Sequence, residues 1–336
     1  MNGQNKTLLT AKDYASDQEV RWCPGCGDYA ILKTMTQVLS KLQLKKEDTV
    51  FISGIGCASR FPYYLDTYGF HTIHGRAPTV ATGVKLSNPD LSVWVVTGDG
   101  DGLSIGGNHL LHLFRRNLDI NVLLFNNEIY GLTKGQYSPT SRPKTISPSS
   151  PRGSIGSPVS PGKFAHGCGA TFIARSIDTD KPSLSEVLER SHQHRGTALV
   201  EILQNCIVYN DKIFDDLSNK ESENDRQLRL KHGMPLVFGS DLQYGLAISS
   251  SLEPEIINAV KNPKRVLNHD ETNANLAQML LALDPIDYPV PIGVIYAVQK
   301  PIYEELFHQS GKHPFPRKQT VNSLIESGEI WEVTKS

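Results

Sequence analysis

Thr49–Ser53, Ser92–Thr97 and Asn121–Phe125 are three short runs rich in apolar and β-branched residues, and each stops abruptly in turn chemistry: Gly54-Ile-Gly56, Gly98-Asp-Gly100 and Asn126-Asn127. Runs of this length closed by Gly or Asn read as buried strands whose C-terminal ends open into polar loops. Between the second and third lies Leu103–Asn117, where Ile105, Leu110, Leu113 and Phe114 recur at roughly helical spacing and Arg115-Arg116 occupies the last turn. The spacing predicts a helix there. Strand, helix, strand is a βαβ unit, and its right-handed crossover makes the two strands parallel neighbours. Asp28–Leu42 reads as another helix and Ala198–Leu203 as another strand. The front of the chain is thus an open, mostly parallel α/β sheet, the class that binds ligands at the carboxyl ends of its strands.

Composition excludes several alternatives. With 34 basic and 35 acidic side chains, the net charge of -1 lacks the footprint of a nucleic-acid binder. The longest apolar runs, such as Val93–Val96 and Val122–Phe125, are far shorter than the roughly 20 residues of a bilayer helix. The opening stretch MNGQNKTLLTAKDYASDQEV carries acids and no apolar core of a leader, so a cytoplasmic location is expected. Five cysteines, an odd count, argue against a disulfide framework and point to metal or redox chemistry. The Pro/Ser/Gly-rich segment Ser138–Lys163 is expected to lie outside the core, as a linker or a loop used in function, and its position just after a candidate site favours the loop. Asp211–His232 is dense in charge and reads as a surface excursion, while Val266–His269 and Ile292–Tyr296 are possible strands. The division expected is an α/β domain over 1–206 and a C-terminal extension over 207–336.

The segment Gly98-Asp-Gly-Asp-Gly102 carries the chemistry. No G-x-G-x-x-G falls on these glycines and no Walker A sequence occurs, which demotes a dinucleotide site. Asp99 and Asn127 are 28 positions apart but close two adjacent strands, so they can converge. A carboxylate, a carboxamide and a nearby backbone carbonyl suit a hard divalent cation. Glycines at 98, 100 and 102 let the backbone approach closely, and the helix beginning there offers N–H groups and its dipole to an anion. Magnesium bridged to a diphosphate fits; two ordinary strand-end turns are the bland alternative, which their joint occurrence disfavours. Cys23-Pro-Gly-Cys26 is a C-x-x-C that by itself suits a zinc half-site, a redox pair or half of a cluster site.

Beyond these features, the wording GDGDGLSIGGNHLLHLFRRN, NNEIYGLTKGQYSPT, WCPGCGDY, GIGCASRFPYY and HGRAPTVATGVKLSNPDL resembles the β subunit of 2-oxoacid:ferredoxin oxidoreductases, over Trp22 to Phe238. Asp211–Gly239 is most similar to the 2-oxoglutarate type. The resemblance implies the thiamine-diphosphate-binding fold, with Asp99, Asn127 and the Ile129 carbonyl as magnesium ligands. Gly98, Gly100 and Asp101 would line the diphosphate, with Ala58, Ser59, His74, Gly131 and Leu132 as further cofactor contacts. It further implies a [4Fe–4S] cluster on Cys23, Cys26, Cys57 and Cys206, with Cys168 a plain buried thiol. Arg60 and Lys134 would meet the carboxylates of a 2-oxo acid, although a solvated surface charge is the usual fate of such residues. The implied activity is decarboxylation of the 2-oxo acid, the acyl group passing to coenzyme A and the electrons to ferredoxin. In the family a partner α subunit supplies the carboxylate that activates the cofactor. A pyruvate-specific enzyme, a non-oxidative thiamine-dependent decarboxylase and a zinc-stabilised interaction protein are the alternatives.

Overall fold

The structure, a computed structural model, describes residues 8–310, 321–331 and 333. Residues 1–7 of the opening stretch, and parts of the tail, lie outside them. β1 (Thr49–Ser53), β2 (Tyr68–His71), β3 (Ser92–Gly98) and β4 (Asn121–Asn126) come first, then the short hairpin β5 (Ile129–Tyr130) and β6 (Gln136–Tyr137). β7 (Phe172–Ile177), β8 (Ala198–Leu203) and β9 (Gln227–Arg229) follow. β10 (Val237–Phe238), β11 (Tyr244–Ile248) and β12 (Pro254–Asn258) form a small antiparallel sheet, and β13 (Val290–Ala297) returns to the large one. The large sheet runs β2-β1-β3-β4-β8-β7-β13-β9, parallel throughout except where β13 meets β7.

Continuous apolar runs arise because both faces of this sheet are covered. Val50, Ile52, Val93, Val95, Val122 and Leu124 point to one face. They pack there against α2 (Ala77–Ser87), α3 (Asp99–Leu103) and α4 (Gly107–Arg116), which contribute Ala77, Ala81, Leu103, Leu110, Leu113 and Phe114. The alternate residues Phe51, Trp94, Val96, Leu123 and Phe125 point to the other face and meet α1 (Asp28–Leu42), through Ile31, Met35, Val38 and Leu39. Strand β1 lies between β2 and β3, so the chain steps off it in one direction and then returns on the other side. Such a reversal of strand order opens a crevice at the strands' carboxyl ends.

Four expectations change. The helix read over Leu103–Asn117 begins only at Gly107, as α4; the short α3 precedes it and ends at Leu103, with Ser104–Gly106 as the break between them. The chain breaks where Gly106 presses on Gly75: a Cβ on Gly106 would stand 2.6 Å from the Asp101 carbonyl oxygen and 3.0 Å from the Gly75 Cα. The Pro/Ser-rich segment is irregular, but Ser138, Thr140, Ser141, Ser147 and Ser154 are buried in it. Its end is helical: Pro161–Gly167 forms α5, with Ser160 as N-cap and Pro161 at the first turn. Asp211–His232 is not wholly a surface excursion, because Phe214, Leu217, Gln227 and Leu228 are buried and β9 is the sheet's last strand. Single apolar residues set among charges escape a compositional reading. Val266–His269 forms no strand, only an isolated bridge from Asn268 to Pro235, whereas Ile292–Tyr296 lies within β13.

Candidate active site

The carboxyl ends of β1, β3 and β4 meet in one cleft, lined by Ile55, Gly56, Cys57 and Ala58 after β1, Gly98–Asp101 after β3, and Asn127 and Ile129–Thr133 after β4. Asp99 and the neighbouring Asn127 and Ile129, 28 and more positions further along the chain, thus share a wall. Gly100 is a glycine for want of room: a Cβ there would stand 2.5 Å from the Tyr130 ring. The Tyr130 hydroxyl donates to the Gly100 carbonyl at 2.7 Å. Helix α3 has only five residues, so it contributes N–H groups but little of the macrodipole expected there.

Asp99 is 2% exposed. Burial pushes its carboxyl up to about 6, although hydroxyl donors from Ser138 and Thr140 act in the opposite sense. The Asn127 side chain is held at both ends: its Nδ2 donates to Gln204 Oε1 at 2.8 Å and its Oδ1 accepts from the Ile129 N–H at 3.2 Å. Asp101 also lines the cleft, but its carboxylate is engaged within the protein. Oδ1 accepts from His74 Nδ1 at 2.9 Å and from the Gly75 N–H at 2.7 Å, and Oδ2 from the Thr97 hydroxyl at 2.7 Å. An acceptor-only carboxylate puts the His74 proton on Nδ1.

The cysteines fall on the same side of the cleft. Cys57 lines it, and the cleft residue Gln204 donates from Nε2 to Cys26 Sγ at 3.2 Å. A Cβ on Gly131 would stand 3.4 Å from Cys206 Sγ and 3.9 Å from Cys57 Sγ. Burial, then Asp28, pushes the Cys26 thiol up, with Cys57 and Cys206 near enough to add to the effect. Burial and Asp28 likewise push Cys57 up to about 12, with help from Cys206 and Cys23. Cys57 thus lies close enough to Cys23, Cys26 and Cys206 to feel each of them. The four sulfurs do not converge on one point: among the described residues no group of three or more His, Cys, Asp or Glu is placed to hold a single metal ion. Cys168 packs against the core on the opposite face of the sheet.

Arg60 bounds a second hollow of about 460 Å³ that shares Ile55, Gly56 and Leu132 with the first. Its Nε donates to the Tyr64 hydroxyl at 2.8 Å, with the guanidinium 5.8 Å from that ring's centroid. Lys134 is exposed and lines neither hollow, and Ser59 is buried behind the cleft, its carbonyl accepting from the Ser53 hydroxyl at 2.7 Å. Sequence reasoning passed over Asp28, which lines the cleft and is 1% exposed, with its Oδ2 unpaired. Burial pushes this carboxyl up to about 7. Its signal was the acid two residues beyond the C-x-x-C. Glu128 was passed over as well: burial raises it to about 7 against the opposing charge of Arg142, whose Nε lies 3.0 Å away. Gln204, Ser138 and Thr140 carried no signal, being ordinary polar residues until the fold brings them together.

The chain is 50% identical over 333 residues to the 2-oxoglutarate oxidoreductase subunit KorB of Mycobacterium tuberculosis, a match covering 96% of this chain and 88% of that protein. The chain belongs to the 2-oxoacid:ferredoxin oxidoreductase β subunits. Residues 54–202 match the family described as thiamine pyrophosphate enzyme, C-terminal TPP binding domain, and the cleft lies within that span apart from Asp28 and Gln204. Another β subunit, from 2-oxoacid:ferredoxin oxidoreductase 1 of Aeropyrum pernix, is 47% identical over 190 residues, covering 56% of this chain and 60% of that one. A solved structure of 2-oxoglutarate:ferredoxin oxidoreductase from Magnetococcus marinus, with 2-oxoglutarate, coenzyme A and succinyl-CoA bound, superposes with a TM-score of 0.76 at 31% identity. It covers 97% of this β-subunit chain and 98% of its own. No helix among the described residues is long and apolar enough to cross a membrane.

Proposed function

We propose that this β subunit, with an α subunit, performs the coenzyme A-dependent oxidative decarboxylation of 2-oxoglutarate to succinyl-CoA and CO2 in the cytoplasm, electrons leaving through a [4Fe–4S] cluster to ferredoxin. The observation that carries the reading is the near-full-length 50% identity to a 2-oxoglutarate oxidoreductase subunit.

The residues of the cleft fit the groups this requires. Asp99, Asn127 and the Ile129 carbonyl offer oxygen donors of the kind magnesium takes. Gly98 and Gly100 give a diphosphate close access to backbone. The unpaired, buried Oδ2 of Asp28 awaits a donor. Cys23, Cys26, Cys57 and Cys206, neighbours without a common point, suit a cluster wider than one ion. Thiamine diphosphate, when bound, supplies the electron sink for decarboxylation. Arg60, braced by Tyr64 in the adjoining hollow, would orient a substrate carboxylate, with Leu132 as the shared apolar wall. Lys134, exposed outside both hollows, would be a further cation for the substrate, and His74, held by Asp101, a cofactor contact. Gly131 and Ala58 would shape the cofactor side, with Ser59 buried behind it. Asp101 acts by setting the His74 tautomer.

The test is an anaerobic purification of the chain with its α subunit, followed by metal, iron and thiamine analysis and dye reduction with 2-oxoglutarate or pyruvate, with and without coenzyme A. Coenzyme A-dependent reduction preferring 2-oxoglutarate, dependent on both subunits, is the expected result. Preference for pyruvate overturns the substrate assignment, and full turnover by the isolated chain overturns the split site.

A further inference from the structure

We infer that the start of the Pro/Ser-rich loop, Ser138–Arg142, is a positioning clamp for the magnesium-binding pair Asp99 and Asn127, with the Ser138 and Thr140 hydroxyls as its working groups. This rests on the reading of Asp99 as a metal ligand and goes beyond it, since neither hydroxyl lines the cleft.

Ser138 and Thr140 are 2% and 5% exposed, and both hydroxyls lie 2.5 Å from Asp99 Oδ2. Each hydroxyl has one proton to give. With the loop's hydroxyls directed to Oδ2 and the backbone at Asp99–Gly100 also donating to the carboxyl, the carboxylate plane is set, and the loop's hydroxyls take none of Oδ1's acceptor capacity for a cation. The loop also grips the chain on either side of Asn127. Thr140 Oγ1 also lies 3.0 Å from Asn126 Oδ1, and its single proton serves either that oxygen or Asp99 Oδ2. Ser141 donates to the Glu128 carbonyl at 2.5 Å, and Arg142 Nε lies 3.0 Å from Glu128 Oε2. Asn126 is itself tied through Nδ2 to Glu201 at 2.8 Å, and Glu201 to Arg175 at 2.9 Å.

The clamp is anchored at a distance. Arg142 donates to the Ile213 carbonyl at 2.9 Å, and the Val159 N–H donates to the Pro139 carbonyl at 2.8 Å. One five-residue stretch therefore touches the ends of β3 and β4 together and holds their relative position. Magnesium demands near-ideal octahedral geometry, whereas calcium tolerates irregular shells. A device that fixes ligand positions should consequently matter more for magnesium than for calcium.

The experiment uses the αβ complex stripped of metal and cofactor. Thiamine diphosphate binding is followed by equilibrium dialysis while Mg²⁺ or Ca²⁺ is titrated, for the wild type, Ser138→Ala, Thr140→Val, Thr140→Ser and Asp99→Asn, with circular dichroism to check folding. Ser138→Ala and Thr140→Val should each raise the half-saturating Mg²⁺ concentration by roughly 10- to 100-fold, the usual cost of losing a group that orients a metal ligand. The Ca²⁺ requirement should rise less, and Thr140→Ser, which keeps the hydroxyl, should stay near wild type. An unchanged Mg²⁺ requirement in the two folded variants, equal losses for Mg²⁺ and Ca²⁺, or equal losses in Thr140→Ser and Thr140→Val overturn the clamp. Normal metal dependence in Asp99→Asn overturns the ligand assignment as well, so the two failures are told apart.

Discussion

Replacing Gly100 by alanine places a methyl group where the Tyr130 ring stands. The new Cβ would lie 2.5 Å from Cε1, 2.6 Å from Cζ and 2.8 Å from Cδ1 of that ring. Carbon atoms do not approach so closely, so the ring must swing away and give up its hydrogen bond to the Gly100 carbonyl. Overpacking of this kind costs about 1–3 kcal/mol, and the hydrogen bond about 1 kcal/mol more. Against this, Gly100 lies in helix α3, where alanine otherwise gains up to about 1 kcal/mol. Gly100→Ala should therefore destabilise the chain by about 1–3 kcal/mol in net terms. Since Tyr130 forms part of the cleft wall, thiamine diphosphate affinity should fall with it. In a Tyr130→Ala background the obstruction is gone, and the same substitution should be neutral or stabilising by up to about 1 kcal/mol. The coupling between the two positions should be about 1–4 kcal/mol, overlapping the range found for residues in contact. Urea unfolding of the four proteins, with slopes compared to verify two-state behaviour, measures it. An equal effect of Gly100→Ala in both backgrounds would refute the steric argument.

Three further outcomes are expected. Asp99→Ala should abolish retention of thiamine diphosphate through gel filtration while the far-ultraviolet spectrum stays native, because a magnesium ion held there would lose its charged ligand; normal retention sinks the magnesium assignment. Serine at Cys23, Cys26, Cys57 or Cys206 should lower iron content and the visible absorption of the complex, whereas Cys168→Ser should change neither; full iron in any of the four, or loss in the fifth, contradicts the set. Burial pushes the His194 imidazole down from 6.5 to about 4, between the Thr171 hydroxyl at 2.8 Å and Gln299. Its folded pKa lies below its unfolded one, so its contribution is whole above pH 6.5 and is lost as pH falls toward 4. At about 1.4 kcal/mol per unit that is about 3 kcal/mol, and His194→Gln should flatten this part of the stability profile; an unaltered acid limb in thermal melts across that range speaks against it.

Several features could be read from the residues alone. Short β-branched runs closed by Gly or Asn specify buried parallel strands because few other structures satisfy both the apolar run and the abrupt turn. β1, β3, β4 and β8 lie where those runs stand. The glycines of Gly98–Gly102 and the pair Asn126-Asn127 mark strand ends by their own conformational chemistry. From there the crossover rule alone puts Asp99 and Asn127 side by side.

Other features are decided only in three dimensions. Ser138 and Thr140 are two ordinary hydroxyl residues in a Pro/Ser-rich segment, and only the folded loop brings their hydroxyls to one oxygen of Asp99. Gln204 is one polar residue after a strand until the fold sets it between Asn127 and Cys26. The state of Asp28 and Asp101 could not be read either: one is left with an unpaired oxygen and the other is saturated by His74, Gly75 and Thr97. Local pattern reports which backbone a residue prefers and which face it occupies. Hydrogen-bond partners, burial and the resulting shifts in acidity depend on segments distant in the chain, and only tertiary packing decides which of those arrive.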